Sequence, residues 1–222
     1  LIAVIVPVLS RPTRAQPLVD SLAGSTDQAR AVFVCSPGDD DQLAASYATG
    51  AETIIADWQP ERADWARKCE LARNLTDEPF LLLGADDIHF HPGWADAVLA
   101  IFDAYDVGVV GTNDLANPTV KRGLHSTHPV VCRGYADAHG TIDEPLAMLP
   151  TCYWHNWVDA ELVETAKTRG CWAFAPDARV EHAHPFWHTA VDDDTYRRGR
   201  RFYEEDAQLF RERQRLWTQV AA

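Results

Sequence analysis

The chain of 222 residues is 46% hydrophobic and 24% charged, with 33 acidic against 20 basic residues and a net charge of -13. That composition suits one globular domain, or one domain with a small lobe, and excludes a bare polyanion such as nucleic acid as a general partner. No apolar run approaches the ~20 residues that span a bilayer, and five scattered cysteines with no C-x-x-C pair read as reduced thiols of a cytoplasmic protein.

The opening run "LIAVIVPV" is apolar at almost every position, the habit of a parallel strand covered on both faces. Residues 13–23 read as a helix stopped by Gly24, "RAVFVCS" as a second strand, and "DDDQLAASYATG" as a short helix with an acidic start. "ETIIAD" is a third strand. From Pro60 to Asn74, an apolar stripe at Ala63, Ala66, Cys69, Ala72 and Leu75 predicts a helix. "FLLLG" follows as a strand, "HPGWADAVLAIFDAY" as a helix and "VGVVG" as a strand. Strands alternating with helices predict an α/β fold with a mostly parallel sheet flanked by helices. After Gly111 the rhythm breaks. Residues 113–152 are rich in His, Pro, Gly and Asn, with one strand expected at "HPVVCRGY". A helix over 153–169, two short strands at "CWAFAP" and "ARVEHAH", and one charged helix over 192–217 complete the expected elements. The expected division is a first half at 1–112, a second, loop-rich half at 113–190 completing the same domain, and a charged C-terminal helix at 191–222.

In "FLLLGADDIHFHPGW" a buried strand delivers two adjacent acids, Asp86 and Asp87, to its carboxyl end. That is where open α/β sheets bind ligands. Adjacent carboxylates repel unless a cation or donor group sits between them, and a hard divalent cation prefers such oxygen ligands. Asp is also at home in turns and helix caps, the plainer reading of both residues. As strand-end acids they are expected to be exposed. His182 and His184 in "VEHAHPFWH" lie two apart, on one face of a strand, and imidazole suits transition metals; partly buried core histidines are the alternative.

Three motifs together resemble the family 2 glycosyltransferases of the GT-A fold, in the form found in bacteria and their viruses: "VIVPVLSRP" on strand one, "WARKCELARN" on the helix before strand four, and "LLLGADDIHFHPGW". The resemblance is looser through "YWHNWVDAEL" and "VEHAHP". It implies a GT-A, Rossmann-like fold whose first half binds a nucleotide-sugar, with UDP-sugar as the expected donor, and whose second half faces an unidentified acceptor. It implies donor contacts from Pro7, Val8 and Arg11, from Ser36 and Asp39 after strand two, from Arg67 and Lys68, and from Asp86 at the ribose. Asp87 would hold Mn²⁺ or Mg²⁺ with His182, and His184 stands beside it as a second candidate. The family's first acid of D-x-D is Gly84 here, and Cys35 and Ser36 stand where acids usually follow strand two. Asp39 to Asp41 also suit a helix N-terminus, and Arg67 and Lys68 a solvated helix face.

Asp159, with Glu161 second, is the candidate base that takes the proton of the acceptor hydroxyl in an inverting transfer; both also suit the first turn of a helix. His125 and His128 form a polar cluster without an assigned role, and "YRRGRRFYEED" reads as a solvated helix face. The expected activity is metal-dependent glycosyl transfer to an acceptor hydroxyl in the cytoplasm, or in a host's cytoplasm for a viral chain. A hydrolase using the same Asp and His groups is the alternative. A nucleotidyl transferase is disfavoured because "PVLSRPTRA" has no glycine to cradle a triphosphate.

Overall fold

β1 (Ile2–Pro7) is apolar throughout because both its faces are covered. Ile2, Val4 and Val6 enter one core, Ala3 and Ile5 the other, and none is exposed. It is an interior strand of a sheet that also contains β2 (Ala29–Cys35), β3 (Glu52–Ile55), β4 (Phe80–Leu83), β5 (Ile88–Phe90), β6 (Val109–Asn113), β7 (Val130–Cys132) and β8 (Trp172–His182). The structure is a computed structural model that describes residues 1–218. Its eight strands lie in the order β3-β2-β1-β4-β7-β6-β8-β5. β2, β3 and β4 run parallel to the strands they join around β1. β7 is antiparallel to both neighbours, β4 and β6, β8 is parallel to β6, and β5 is antiparallel to β8. The sheet is thus mixed but mostly parallel, with β7 and β5 as the reversed strands.

Helices cover both faces. α1 (Ala15–Ala23) and α4 (Trp94–Ala104) pack on the side of Val4 and Phe33. On the side of Ile5 and Leu83 lie α3 (Asp64–Leu75), α6 (Arg133–His139), α7 (Val158–Thr168) and α9 (Tyr203–Thr218). α2 (Asp40–Ala48), α5 (Pro118–Lys121) and α8 (Asp194–Arg200) are short surface helices. The α3 stripe is buried at Ala66, Cys69 and Ala72, but Leu75 is exposed, so the apolar face ends one turn early. All five cysteines are free. Among the described residues, no helix is long and apolar enough to cross a membrane.

Several boundaries differ from expectation, each for a local reason. The helix expected from Pro60 begins at Asp64, after Ala63 takes a left-handed conformation. That expected from Tyr153 begins at Val158, because Trp157 is left-handed (φ 71°) and Tyr153 turns into the core. "HPVVCRGY" gives only three strand residues before α6. The two strands expected around "CWAFAP" and "ARVEHAH" are one strand, β8, whose register against β6 slips between Gly111 and Asn113. The single helix expected over 192–217 is broken into α8 and α9 at Arg201 and Phe202. Residues 219–222 of the expected terminal helix lie outside the described residues.

Candidate metal and donor site

β4 reaches Gly84, whose N–H donates to Ile5 O at 2.8 Å. A Cβ at Gly84 would sit 2.8 Å from that same carbonyl. The position where the resembled family carries its first acid therefore has no room for a side chain here. Asp86 and Asp87 follow, and β5 then pairs with β8 so that Ile88 lies opposite His182. Ala183 N donates to Asp87 O at 2.9 Å, and His182 N to Asp114 O at 3.2 Å. This antiparallel pairing sets the His182 imidazole beside the Asp87 carboxylate, with Nε2 3.4 Å from Oδ1.

His128, just ahead of β7, completes the group. Its Nδ1 lies 3.0 Å from Leu83 O. A carbonyl only accepts, so Nδ1 carries the proton and Nε2 presents a lone pair. One ligand atom each from Asp87, His128 and His182 lies within 4.8 Å of the others. Asp87 Oδ1 and His128 Nε2 are buried and have no hydrogen-bond partner. Such orphaned acceptors each cost about 1–3 kcal/mol. A divalent cation between them would remove that cost, and one carboxylate with two imidazoles suits a transition metal such as Mn²⁺. The donor set therefore fits the cation.

Both acids are buried, at 7% and 8% exposure, not exposed as a strand-end position suggests. Arg11 is the reason. It enters through a left-handed turn at Ser10 (φ 55°), and its backbone N–H donates to buried Gln42 Oε1 at 2.8 Å. Its Nη1 reaches Asp86 Oδ1 at 2.9 Å and Asp87 Oδ2 at 3.5 Å. Tyr196 OH lies 2.7 Å from Asp87 Oδ2, and the Arg11 guanidinium stacks 3.9 Å above the Tyr196 ring. Burial, then the charge of Asp87, push the Asp86 carboxyl up to about 6 against the pull of Arg11. For Asp87 burial also acts upward, but His182 and the Tyr196 hydroxyl prevail and hold it well below the usual range. Burial and the neighbouring His182 push His128 down to about 4. His182 itself is raised, because Asp87 outweighs burial.

The other anticipated residues divide. Asp39 Oδ2 accepts from Ser10 N at 2.7 Å and, with Ser36, lines an open cleft of about 360 Å³ at the ends of β1 and β2. Val8 is buried beneath it, and Pro7 ends β1. Lys68 does not reach the cleft as a free cation. It is 1% exposed, and its Nζ binds Ser36 Oγ (2.7 Å), Val8 O (3.0 Å) and Asp64 Oδ2 (2.9 Å). All three protons are taken, so Lys68 ties α3 to the ends of β1 and β2. Arg67 pairs with Glu61 and lies over the Trp58 ring. His184 stands outside the ligand group, with its Nδ1 accepting from Phe186 N at 3.2 Å to cap a short turn. Burial and His182 push it down to about 4.

Asp159 opens α7, with Oδ2 3.2 Å from His125 Nε2. Burial acts against both charges, yet the pairing prevails and holds the acid low and the imidazole high. The charge of Asp159 is also felt, weakly, at His128 and His182. Glu161 is engaged elsewhere. It is 1% exposed and bonds Tyr153 OH (2.5 Å) and Arg213 through Nε (2.8 Å) and Nη2 (2.6 Å). Glu161→Gln is expected to lower stability by about 3 kcal/mol, the scale of breaking a buried ion pair, while turnover per folded molecule stays unchanged. Denaturant midpoints beside active-site titration would show this; a hundredfold loss of turnover at unchanged midpoint would make Glu161 catalytic instead.

His128, Arg14, Asp193 and Tyr196 were not anticipated as site residues. Two of them left a trace in the sequence, His128 as half of the cluster with His125 and Tyr196 as the first residue of "YRRGRRFYEED".

No family model and no curated protein matches the chain by sequence. Solved structures do match by shape. The mostly parallel sheet with two reversed strands matches the GT-A fold seen in solved glycosyltransferases. Glucosyl-3-phosphoglycerate synthase from Mycobacterium tuberculosis, in complex with Mn²⁺, UDP and glucosyl-3-phosphoglycerate, superposes with a TM-score of 0.59 at 13% identity, over 82% of this chain and 72% of that one. The same enzyme with Mg²⁺ and UDP gives 0.58 at 12%, over 82% and 71%. A mannosyltransferase from Pyrobaculum calidifontis, in complex with GDP-Man and Mn²⁺, gives 0.68 at 16%, over 99% of this chain and 68% of that one. At such identities the likeness establishes the fold, and function rests on the site.

Proposed function

We propose that the protein is a metal-dependent glycosyltransferase, of the family 2 type, that moves a sugar from a nucleoside-diphosphate sugar to an acceptor hydroxyl with inversion. The observation that carries this is the pair of orphaned buried acceptors, Asp87 Oδ1 and His128 Nε2, grouped with His182 beside an open cleft in a GT-A fold. The solved structures of that fold bind Mn²⁺ or Mg²⁺ with UDP or GDP-Man. Asp87, His128 and His182 would hold the cation, which when bound supplies Lewis-acid stabilisation of the diphosphate leaving group. The cleft lined by Ser36 and Asp39 takes the nucleoside. Arg11 sits between cleft and acids, where its fixed donors can meet charge developing on the departing phosphate. Asp86, held by Arg11 at 2.9 Å, would take the ribose hydroxyl on the reading that the resemblance implies. Asp159, oriented by His125, takes the proton from the acceptor hydroxyl as it attacks.

The test is a thermal-shift and calorimetric panel of nucleotides and nucleotide-sugars, with and without Mn²⁺. A cognate donor at a hundredfold its dissociation constant should stabilise by ~2.7 kcal/mol, and only with the metal. The metal dependence should itself depend on pH. Asp87 stays ionised and His128 stays neutral near pH 7, so His182 is the ligand whose proton must leave. Its pKa is raised, so Mn²⁺ affinity is full above that raised value and falls as pH drops through it, approaching tenfold per unit for one displaced proton. His182→Ala should weaken Mn²⁺ binding and flatten the profile. A pH-independent affinity, or no metal-dependent ligand in the panel, overturns the reading.

A further inference from the structure

Arg11 and Arg14 form a two-pronged cation between the nucleoside cleft and the metal group. Ser10 lines the cleft, and the next residue, Arg11, touches Asp86 and Asp87. Any diphosphate that joins a nucleoside in that cleft to a cation on Asp87 must pass these two guanidiniums. In the structure a protein carboxylate already lies there. Asp193 Oδ1 is 2.7 Å from Arg11 Nη2, and Asp193 Oδ2 is 3.5 Å from Arg14 Nη2. Two oxygens on two guanidiniums is the contact pattern a phosphate makes.

The two partners differ in how easily they part. Arg11 is 8% exposed, and its buried Nε has no hydrogen-bond partner, so the cation is fixed and under-used. The Asp193 side chain is 36% exposed, so water can take up its carboxylate once an anion replaces it on the arginines. It caps α8 through Thr195 N and Tyr196 N, both 3.1 Å from Oδ1. α8 is reached through residues 189–193, which have no regular structure and include Val191 at 83% exposure. The same helix touches the site twice more. Tyr196 OH bonds Asp87, and Thr195 Oγ1 donates to Leu9 O at 3.2 Å. Arg198, one turn on, lines the nucleoside cleft.

We propose that Asp193 is an internal stand-in for the diphosphate of the donor: its carboxylate occupies the anion position between Arg11 and Arg14, and a nucleoside diphosphate must displace it to bind. This rests on the donor-site reading above and adds to it an autoinhibitory latch carried by α8. The latched form withholds Arg11 from the ligand, so apparent affinity is reduced by the fraction of molecules unlatched. When phosphate oxygens replace the carboxylate, α8 keeps Arg198 at the cleft, where it faces the incoming nucleotide.

The experiment measures binding of inorganic pyrophosphate, UDP and GDP by calorimetry, the nucleotides with and without Mn²⁺, to the wild type, Asp193→Asn, Asp193→Ser and Arg14→Gln. Asn and Ser both cap helices well, so α8 is retained, and equal melting midpoints would confirm it. Both Asp193 variants should bind pyrophosphate more tightly, by about fivefold or more, the factor expected if most molecules are latched. Arg14→Gln should bind it more weakly than wild type. Unchanged or weaker binding by the Asp193 variants, insensitivity to Arg14→Gln, or no pyrophosphate binding by any form overturns the proposal. If nucleotides bind with Mn²⁺ but the Asp193 variants match wild type, the latch falls and the glycosyltransferase reading stands. If pyrophosphate behaves as expected and neither nucleotide binds, the glycosyltransferase reading falls and takes with it the claim that Asp193 stands in for a donor's diphosphate.

Discussion

Asp87→Asn is expected to reduce nucleoside-diphosphate binding in Mn²⁺ to the level seen with a chelator, and to lower turnover by about 10³-fold or more. Asparagine keeps the shape and can still accept from Tyr196 OH, 2.7 Å away. What it loses is the anionic ligand beside His128 and His182. Lewis-acid stabilisation of a leaving diphosphate is worth several kcal/mol, and each 1.4 kcal/mol is a factor of ten. Arg11 does not become an unpaired buried charge, because Asp86 and Asp193 still hold it. The melting temperature should therefore move little. Truncation to alanine is a poorer test, since it would open a void at a residue that is buried. An unchanged titration with nucleoside diphosphate and Mn²⁺ would remove Asp87 from the metal site. A collapse in stability with normal binding by the folded fraction would make its partnership with Arg11 and Tyr196 purely structural.

How much of this was legible in the sequence follows from which contacts are local. β1 announces itself because Ile2 to Val6 are all buried, and no solvent face interrupts the apolar run. The acids after β4 are visible for the same reason, as charges abutting a buried strand. His182 is visible as one of two histidines two apart; it is the last residue of β8, and His184 lies beyond the strand. His128 could not be assigned a role. It reaches the site only because β7 inserts antiparallel between β4 and β6, a pairing with no local pattern in three residues. The burial of Lys68 was not legible from its helix; it is decided by Ser36 and Val8, which follow β2 and β1. The arginine run read as a solvated face proves mostly that. Arg197 and Arg200 pair with Asp192 and Asp194, while Arg198 faces the cleft through the docking of α8. Glycine at position 84 is explained by crowding against Ile5 O, which only the β1–β4 pairing reveals.

Asp159→Asn is expected to lower transfer by at least ~10²-fold while leaving donor affinity nearly unchanged. An acceptor hydroxyl is a poor nucleophile at pH 7 until its proton is removed as it attacks. A positioned carboxylate does this without an unusual pKa, because the hydroxyl becomes acidic in the transition state. Asp159 is held for the task by His125 at 3.2 Å, and that pairing keeps it ionised. A depressed pKa makes the acid a weaker base at equilibrium. The neighbouring imidazole offsets this by fixing the carboxylate oxygen that remains free for the acceptor. Asparagine has the same volume and can still accept from His125, so geometry is retained and the proton acceptor is lost. On the proposed reading the diphosphate would be gripped at Arg11 and the metal group, on other elements, so Kd for the donor should hold. Loss of turnover at constant donor Kd identifies an interaction made only in the transition state. His125→Ala should give a smaller loss, since it disturbs orientation and leaves the base in place. Near-normal turnover by Asp159→Asn would reduce Asp159 to a helix-start residue. Glu161 cannot then take over, because both its oxygens are engaged by Tyr153 and Arg213 in the core. With Asp159 and Glu161 both set aside, the inverting mechanism proposed would give way to a retaining one.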